Sequence, residues 1–247
     1  MKKRNVIALA SALAIAPWMA GAVQPHWSYT GKDNPSHWGS IEPAYASCSL
    51  GKQQSPIDIH DAHKALLAPI VFAYRASQAT VVNNGHTIQV TLSDPGTVRL
   101  ANEEYKLTQF HFHTPSEEAI DGKRFPMVAH LVHRNASGQL AVISVLIKQG
   151  KPNAKLAPIF SLMPSQEGKA QVLPAAFDPS NLLPAERGYY SFTGSLTTPP
   201  CSEGVRWQVM EQPIEVSTEQ WQAFRNLYPM NARPLQQLYG RTVDISD

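Results

Sequence analysis

Five segments rich in β-branched and aromatic residues, separated by turn residues, constrain the fold of this 247-residue chain more than any other feature. Asn83-Asn84-Gly85 and Asn135-Ala136-Ser137-Gly138 stand between successive segments, as hairpin turns do. The spacing therefore predicts strands that pair mostly antiparallel. The five segments are 79–82, 87–92, 107–113, 127–133 and 140–147.

Helical patterns are few and short. One candidate covers 154–163, and a second covers 217–228, which begins with the capping-box pattern Ser217-x-x-Gln220. The stretch 26–55 has scattered turn residues and no periodicity, so we expect it to wrap around the molecule as a loop. The chain has no internal repeat and no linker, which predicts one domain that is mainly β, with a large antiparallel sheet and peripheral short helices.

The beginning of the chain has the pattern of a secretory signal peptide. Met1-Lys2-Lys3-Arg4 is basic, residues 6–16 are apolar, and Ala20-Gly21-Ala22 is a small-residue cleavage pattern. A membrane anchor is the alternative, but the apolar run is shorter than the ~20 residues that a spanning helix needs. We therefore expect residues 1–22 to be removed, which leaves residues 23–247 as a periplasmic domain without a membrane anchor.

The charge of the expected mature chain argues against a nucleic-acid partner. Removal of Lys2, Lys3 and Arg4 from the 21 basic residues leaves 18 against 19 acidic ones. The mature protein is then nearly neutral, and its sequence contains no basic patch with interleaved aromatic residues.

The two cysteines, Cys48 and Cys201, predict a disulfide in an exported protein, because thiols tend to pair in oxidising compartments. Such a bridge stabilises by ~5 kcal/mol in the chain-entropy treatment of a loop of this length. Two free buried thiols are the alternative. Zinc binding by this pair is disfavoured because no other Cys or His stands at ligand spacing from either one.

Two histidines alternate with phenylalanines in the segment Gln109-Phe110-His111-Phe112-His113. Because successive side chains of a strand point to opposite faces, both imidazoles share a face with Gln109. Side chains two positions apart begin about 6–7 Å from each other, close enough for both imidazoles to bind one metal ion. A pair of surface histidines is the alternative, and a third ligand would decide between them.

His130 and His133, in the next segment, are the candidates for that third ligand. Their positions differ by an odd number, so they face opposite sides of a strand and only one of them can join the pair. The strand pattern alone does not choose between them. Three neutral imidazoles with an open fourth position are typical of a catalytic zinc site.

Several segments resemble the signature segments of alpha-class carbonic anhydrases, in the same order and across essentially the whole expected mature chain. They are Gln54-Ser55-Pro56-Ile57-Asp58, Asn83-Asn84-Gly85-His86, Gln109-Phe110-His111-Phe112-His113, Ala129-His130-Leu131-Val132-His133, Ser195-Leu196-Thr197-Thr198-Pro199-Pro200 and Asn231-Ala232-Arg233-Pro234. The resemblance implies that family's fold, around a large twisted central sheet. It also implies its activity, the reversible hydration of carbon dioxide to bicarbonate and a proton.

The resemblance further implies one zinc ion per chain, bound by His111, His113 and His130, while His133 is structural. The fourth ligand is then a hydroxide derived from water, which attacks carbon dioxide. Carbonic anhydrase is itself the standard example of a zinc ion that lowers the pKa of water to about 7.

Other residues match positions with roles in the family. Thr197 matches the residue that bonds the hydroxide, and Glu117 matches the carboxylate that accepts the single proton of that threonine hydroxyl. His86 matches a proton-shuttle histidine, whose ordinary pKa lies near neutrality, and Tyr29 and Asn84 match residues that order its water chain. The matches to the substrate-binding positions are Val132, Val142, Leu196, Thr197, Thr198, Val205 and Trp207.

The chain departs from the family pattern at two positions close to the third ligand. Gln109 matches the hydrogen-bond partner of His111, but Val128 stands where the family usually has a glutamate that serves the ring of His130. Glu118 replaces the histidine of the usual Ser-Glu-His. We hypothesise that the Glu118 carboxylate supplies the partner that Val128 cannot.

Two other functions compete with carbon dioxide hydration. A zinc-binding protein related to carbonic anhydrases but without catalysis is the main alternative, although such proteins generally lack a ligand histidine. An exported esterase is the second, but the chain has no Gly-x-Ser-x-Gly nucleophile elbow. The expected partner is therefore a small molecule, carbon dioxide or bicarbonate.

Overall fold

A twelve-stranded twisted sheet forms the centre of the described part of the chain, residues 26–246 of a computed structural model. The expected signal peptide lies outside these residues. The strands of the large sheet are β2 His63–Ala65, β3 Val71–Tyr74, β4 Ala79–Asn83, β5 Ile88–Leu92, β6 Gly96–Leu100, β7 Glu103–His113, β10 Met127–Arg134, β11 Leu140–Gln149, β12 Ala170–Val172, β13 Tyr189–Ser195, β14 Glu203–Val216 and β15 Asp244–Ser246. A small second sheet contains β1 Asp58–Ile59, β8 Ala119–Ile120 and β9 Lys123–Arg124.

The order of the main sheet is β12-β4-β5-β7-β10-β11-β14-β13-β15-β2, with β6 paired to β7 and β3 paired to β6. Both predicted hairpins are present, since β4 pairs antiparallel with β5 and β10 pairs antiparallel with β11. Two neighbouring pairs are parallel instead, β11 with β14 and β15 with β2. A mainly β, mostly antiparallel fold is therefore confirmed.

The helices are short and lie outside the sheet path, as predicted. They are α1 Trp38–Ile41, α2 Ser47–Leu50, α3 Ala157–Ser161 and α4 Thr218–Leu227. The capping box at the start of α4 is confirmed, because Ser217 and Gln220 bond reciprocally to each other's backbone N–H. The helix predicted for 154–163 is shorter than expected, since Asn153 Oδ1 accepts from the N–H groups of Lys155 and Leu156 in a turn that precedes it.

The segment that follows residue 26 is more ordered than the predicted loop. It contains α1 and α2 and two short 3₁₀ turns, Gly31–Asp33 and Pro43–Tyr45. Trp38 is fully buried in a small apolar cluster that also contains Tyr29, Tyr45 and the cystine. The predicted disulfide between Cys48 and Cys201 is present and closes a sequence separation of 153 residues. It ties this segment to the loop between β13 and β14.

The two faces of the main sheet are covered differently. One face contributes to the large core, which includes Phe110, Phe112 and Leu131. The opposite face carries a smaller apolar cluster with Val142 and Trp207. Polar site residues lie on this second face, next to the smaller cluster. Among the described residues, none belongs to a helix that is long and apolar enough to span a membrane.

Candidate metal centre and active site

Strand pairing at the middle of the sheet brings three histidine rings together. In the register of β7 and β10, His130 lies directly opposite His111, and His113 lies two pairs further along, opposite Val128. One ligand nitrogen from each of the three rings lies within 4.8 Å of the other two. The structure therefore groups His130, and not His133, with the pair on β7.

Each of the three rings uses one nitrogen in a hydrogen bond and leaves the other free. His111 Nδ1 lies 2.9 Å from Gln109 Oε1, and His113 Nδ1 lies 2.7 Å from the carbonyl oxygen of Asn231. These acceptors oblige Nδ1 to carry the proton, so Nε2 of both rings has a free lone pair.

The third ring, that of His130, uses Nε2 for its hydrogen bond, whereas His111 and His113 use Nδ1. His130 Nε2 lies 3.3 Å from Glu118 Oε2 and 3.1 Å from Glu118 Oε1. Because the carboxylate accepts the proton at Nε2, the lone pair of His130 Nδ1 faces the other two rings.

The residues present fit a zinc ion. His113 Nε2 is buried and has no hydrogen-bond partner within residues 26–246. A buried nitrogen without a partner is costly unless something else binds it. Three imidazole nitrogens around one point are a typical donor set for a catalytic zinc site.

Burial keeps two of the three rings neutral, which is the form that binds a metal. It lowers the pKa of His111 well below its usual value, and it lowers that of His113 to about 3; the charge of neighbouring histidines adds to both shifts. Burial also disfavours protonation of His130, but the Glu118 and Glu117 carboxylates outweigh it and raise the pKa of that ring. A cation at the centre would compete with this proton, because metal binding to a histidine displaces it.

Glu117 is completely buried beside the three rings. Its Oε2 lies 3.5 Å from His113 Nε2 and 3.8 Å from His130 Nδ1. Its Oε1 accepts a hydrogen bond of 2.8 Å from the backbone N–H of Arg233. Burial raises the pKa of Glu117 to about 7, while His130, the Arg233 N–H and the Thr197 hydroxyl all lower it. A bound cation would favour the ionised carboxylate further.

Beside the histidines is a cavity of about 130 Å³. It is lined by Trp27, Tyr29, Asn84, His86, Thr87, Gln89, Gln109, His111, His113 and Thr198. The three residues predicted for proton transfer, Tyr29, Asn84 and His86, thus share one cavity with two of the candidate ligands. Asn84 Oδ1 accepts from the backbone N–H groups of His86 and Thr87, so it also fixes the turn that presents His86.

The five apolar residues among the predicted substrate-binding positions belong to one cluster. Val142, Val205 and Trp207 are buried in it, and Val132 and Leu196 pack against it. The Trp207 ring contacts the His130 ring edge to face, with 5.0 Å between ring centroids. The apolar cluster therefore adjoins the histidines, and an uncharged ligand could reach both.

Thr197 and Thr198 lie in the loop between β13 and β14, next to the disulfide. The carbonyl oxygen of Thr198 accepts from the N–H of Cys201, which closes a tight turn. Cys201 is bonded to Cys48, whose carbonyl oxygen accepts from the buried Arg233 guanidinium. This network connects the threonine loop to the segment that holds Glu117.

Three residues near the site were not predicted to act there. Trp27 stacks on the His86 ring, with 3.7 Å between centroids and 8° between planes. The Asn231 carbonyl orients His113, and the Ser144 hydroxyl lies 3.1 Å from Glu118 Oε2. The sequence could have indicated Ser144, because it is the only polar residue in the apolar segment 140–147. The contacts of Trp27 and of the Asn231 backbone join segments that are distant in sequence, so no local sequence pattern could predict them.

Comparisons of the chain with known proteins agree with the resemblance to carbonic anhydrases that its sequence motifs indicate. Residues 33–247 match the family described as eukaryotic-type carbonic anhydrase. The chain is 41% identical over 244 residues to a carbonic anhydrase of Pectobacterium carotovorum, and the aligned region covers 98% of this chain and 99% of that protein. It is 44% identical over 220 residues to a carbonic anhydrase of Neisseria gonorrhoeae, which covers 88% of this chain and 87% of that one.

A solved structure agrees in fold as well as in sequence. The alpha-carbonic anhydrase of Thermovibrio ammonificans, in complex with the inhibitor sulfanilamide, superposes with a TM-score of 0.87 at 47% sequence identity. The superposition covers 90% of this chain and 99% of that one. The likeness therefore extends over nearly the whole described chain.

Proposed function

The chain belongs to the eukaryotic-type, or alpha-class, carbonic anhydrase family, and on that premise we propose that it hydrates carbon dioxide reversibly at one zinc ion held by His111, His113 and His130. The activity is that of a carbonic anhydrase, a lyase. The observation that carries the metal assignment is the group of three imidazole nitrogens within 4.8 Å of one another. A bound zinc ion supplies a Lewis acid that makes a nucleophile of water near neutral pH, and carbonic anhydrase is the standard case of this effect.

Thr197 and Glu117 orient the nucleophile. The threonine hydroxyl has a single proton, and an ionised carboxylate can only accept. When that proton goes to Glu117, the Thr197 oxygen can only accept a hydrogen bond from the group in front of the three histidines. Arg233 fixes Glu117 for this purpose through its backbone N–H. Held in this way by Thr197, a nucleophile in front of the three histidines would present a lone pair to the apolar side of the site.

The apolar cluster binds the substrate. Carbon dioxide is uncharged, so it needs weak contacts in a dry pocket instead of a charged clamp. Val142 and Trp207 line this side on adjacent strands, at directly paired positions. Leu196 packs against the same cluster from the threonine loop, and Thr198 of that loop lines the adjoining cavity. Bicarbonate, which is charged, is held less well there and leaves.

His86 takes the released proton to solvent. It lines the same cavity as His111 and His113 and is about half-buried, which suits a group that must exchange protons with both the site and bulk water. Tyr29 and Asn84 provide polar groups along this path. Residues 1–22 act as a signal peptide, and the domain that follows acts in the periplasm, where its disulfide is stable.

Zinc content in matched histidine variants tests the metal site. The wild-type protein, loaded with zinc and freed of excess metal, is expected to keep one zinc ion per chain. His130→Ala is expected to lose it, because three ligands bind far more tightly than two. His133→Gln is the control from the other face of the same strand, and it is expected to retain the metal. Zinc retained by His130→Ala but lost from His133→Gln would contradict the assignment.

A further inference from the structure

The third metal ligand, His130, lacks a hydrogen-bond partner on its own strand. Val128 stands two positions before it on the same face and is fully buried in the apolar cluster. A valine side chain accepts no hydrogen bond, so the strand itself cannot fix the proton at His130 Nε2. A partner must therefore come from another element.

That partner is the carboxylate of Glu118, which lies beyond the end of β7 and immediately before β8. Glu118 is completely buried, and its two carboxylate oxygens lie 3.1 Å and 3.3 Å from His130 Nε2. The loop that presents it is held by Ser116, whose hydroxyl donates to the Glu118 carbonyl oxygen and accepts from the N–H of Phe125. The carboxylate therefore has a fixed approach to the ring.

Ser144 supplies a second hydrogen bond to the same carboxylate. Its hydroxyl donates to Glu118 Oε2 at 3.1 Å. In the register of β10 and β11, Ser144 lies directly opposite His130, and it is fully buried between apolar neighbours. A buried hydroxyl in such a strand is costly unless it is bonded, and here its partner is the group that contacts the ligand ring.

We propose that Glu118 and Ser144 are positioning residues for His130: Ser144 fixes the Glu118 carboxylate, and the carboxylate fixes the ring with its proton at Nε2 and its lone pair at Nδ1. The pair replaces the carboxylate that Val128 does not provide. This inference rests on the proposed zinc site, because it concerns how tightly the third ligand is held for the metal.

The test measures the rate at which zinc leaves the purified zinc-loaded protein in excess dipicolinate, together with the zinc dissociation constant. Loss of such a partner weakens metal binding by about 10- to 100-fold, a range known in part from carbonic anhydrases themselves. We expect this loss for Glu118→Ala, and a smaller one for Ser144→Ala. Glu104→Ala, on an exposed position of β7, is the control that is expected to match the wild type.

Two double variants separate positioning from a merely structural effect. In the Glu118→Ala background, Ser144→Ala is expected to add nothing, because the serine acts through the carboxylate. In the same background, Val128→Glu is expected to restore slow zinc release, because it returns a carboxylate to the vacated space. Circular dichroism verifies that each variant is folded, and Glu118→Gln, which keeps the size of the side chain, replaces Glu118→Ala if the latter does not fold.

Zinc release at the wild-type rate from Glu118→Ala or Glu118→Gln would overturn the inference. So would a folded Glu118→Ala/Val128→Glu protein without recovery, or a Ser144→Ala effect of equal size in both backgrounds. A wild-type protein that binds no zinc would instead contradict the proposed function, so the two failures are distinguishable.

Discussion

A half-buried histidine at the cavity, His86, is the residue whose replacement should separate proton release from the other steps. We expect His86→Ala to slow turnover in weak buffer, because the proton then has no imidazole to accept it. Added imidazole should restore part of the rate. Stopped-flow carbon dioxide hydration in weak buffer measures both effects. An unchanged rate in His86→Ala would remove the shuttle role.

The pH dependence of the carbon dioxide hydration rate tests whether His86 is the group that accepts the proton. Burial and the charge of His26 lower the pKa of His86, and Glu167 opposes this shift. Only the neutral imidazole accepts a proton, so turnover in the wild type should rise as pH increases through a pKa below the usual 6.5. This step should disappear in His86→Ala. The control is His63→Ala, since His63 is exposed on the edge strand β2 and does not line the cavity, and it should keep the wild-type rate and pH dependence.

At the scale of single residues, much of the site could be predicted from the sequence. The alternation of β7 put His111 and His113 on one face, but residue spacing alone left His130 and His133 equivalent. The family resemblance chose His130, and the register of β7 with β10 shows the reason, since it places His130 directly opposite His111. Contacts such as Trp27 on His86 could not be predicted, because they join segments that are distant in sequence.

At the scale of elements, β10 serves two purposes with its two faces. His130 faces the candidate metal centre, while His133 is buried on the other face, where its Nε2 lies 2.8 Å from the Tyr74 hydroxyl and its ring stacks on that of Tyr74. Burial lowers the pKa of His133 to about 3. The folded protein therefore holds this ring neutral at pH values where the unfolded chain, with a pKa of about 6.5, takes up a proton.

The free energy of unfolding should consequently fall as the pH is lowered, because burial lowers the pKa values of His111, His113 and His133 in the folded protein. His133 supplies one part of this fall. Its contribution is complete above pH 6.5 and is lost as the pH falls towards 3, which amounts to about 2 kcal/mol between pH 6.5 and 4.5. The measurement is urea unfolding across this range with chelator present, so that zinc release does not contribute. His133→Gln should lose about 2 kcal/mol less than the wild type, whereas His63→Gln, at an exposed position, should behave like the wild type. Parallel curves for all three proteins would contradict this account.

Local sequence patterns could predict most strands, but they could not predict how all of the strands pair or where the shortest helices lie. The apolar segments predicted the central strands because each buries side chains on the sheet faces. The parallel pairing of β11 with β14 was not predicted, since the partner strand is more than 50 residues further along and its position depends on the chain returning across the sheet. The stretch 26–55 was predicted as a loop because its helices are single turns, too short for a periodic pattern.

At the scale of the whole molecule, hydrogen bonds and the disulfide connect distant parts of the chain around the candidate site. The guanidinium of Arg233, which is buried, donates to Gln54 Oε1 and to the carbonyl oxygens of Cys48 and Ser55. Its own backbone N–H holds Glu117. The disulfide adds the threonine loop to this network. This network thus joins residues 48–55, Glu117, the threonine loop and Arg233 around the candidate site.

The most direct test of the whole account is stopped-flow carbon dioxide hydration before zinc removal, after removal by chelation and dialysis, and after zinc is returned. We predict that the wild-type activity disappears with the metal and returns with one equivalent of zinc per chain, and that His130→Ala does not recover at the same zinc concentration. Activity that persists in the wild-type protein after the metal has been removed would contradict the account.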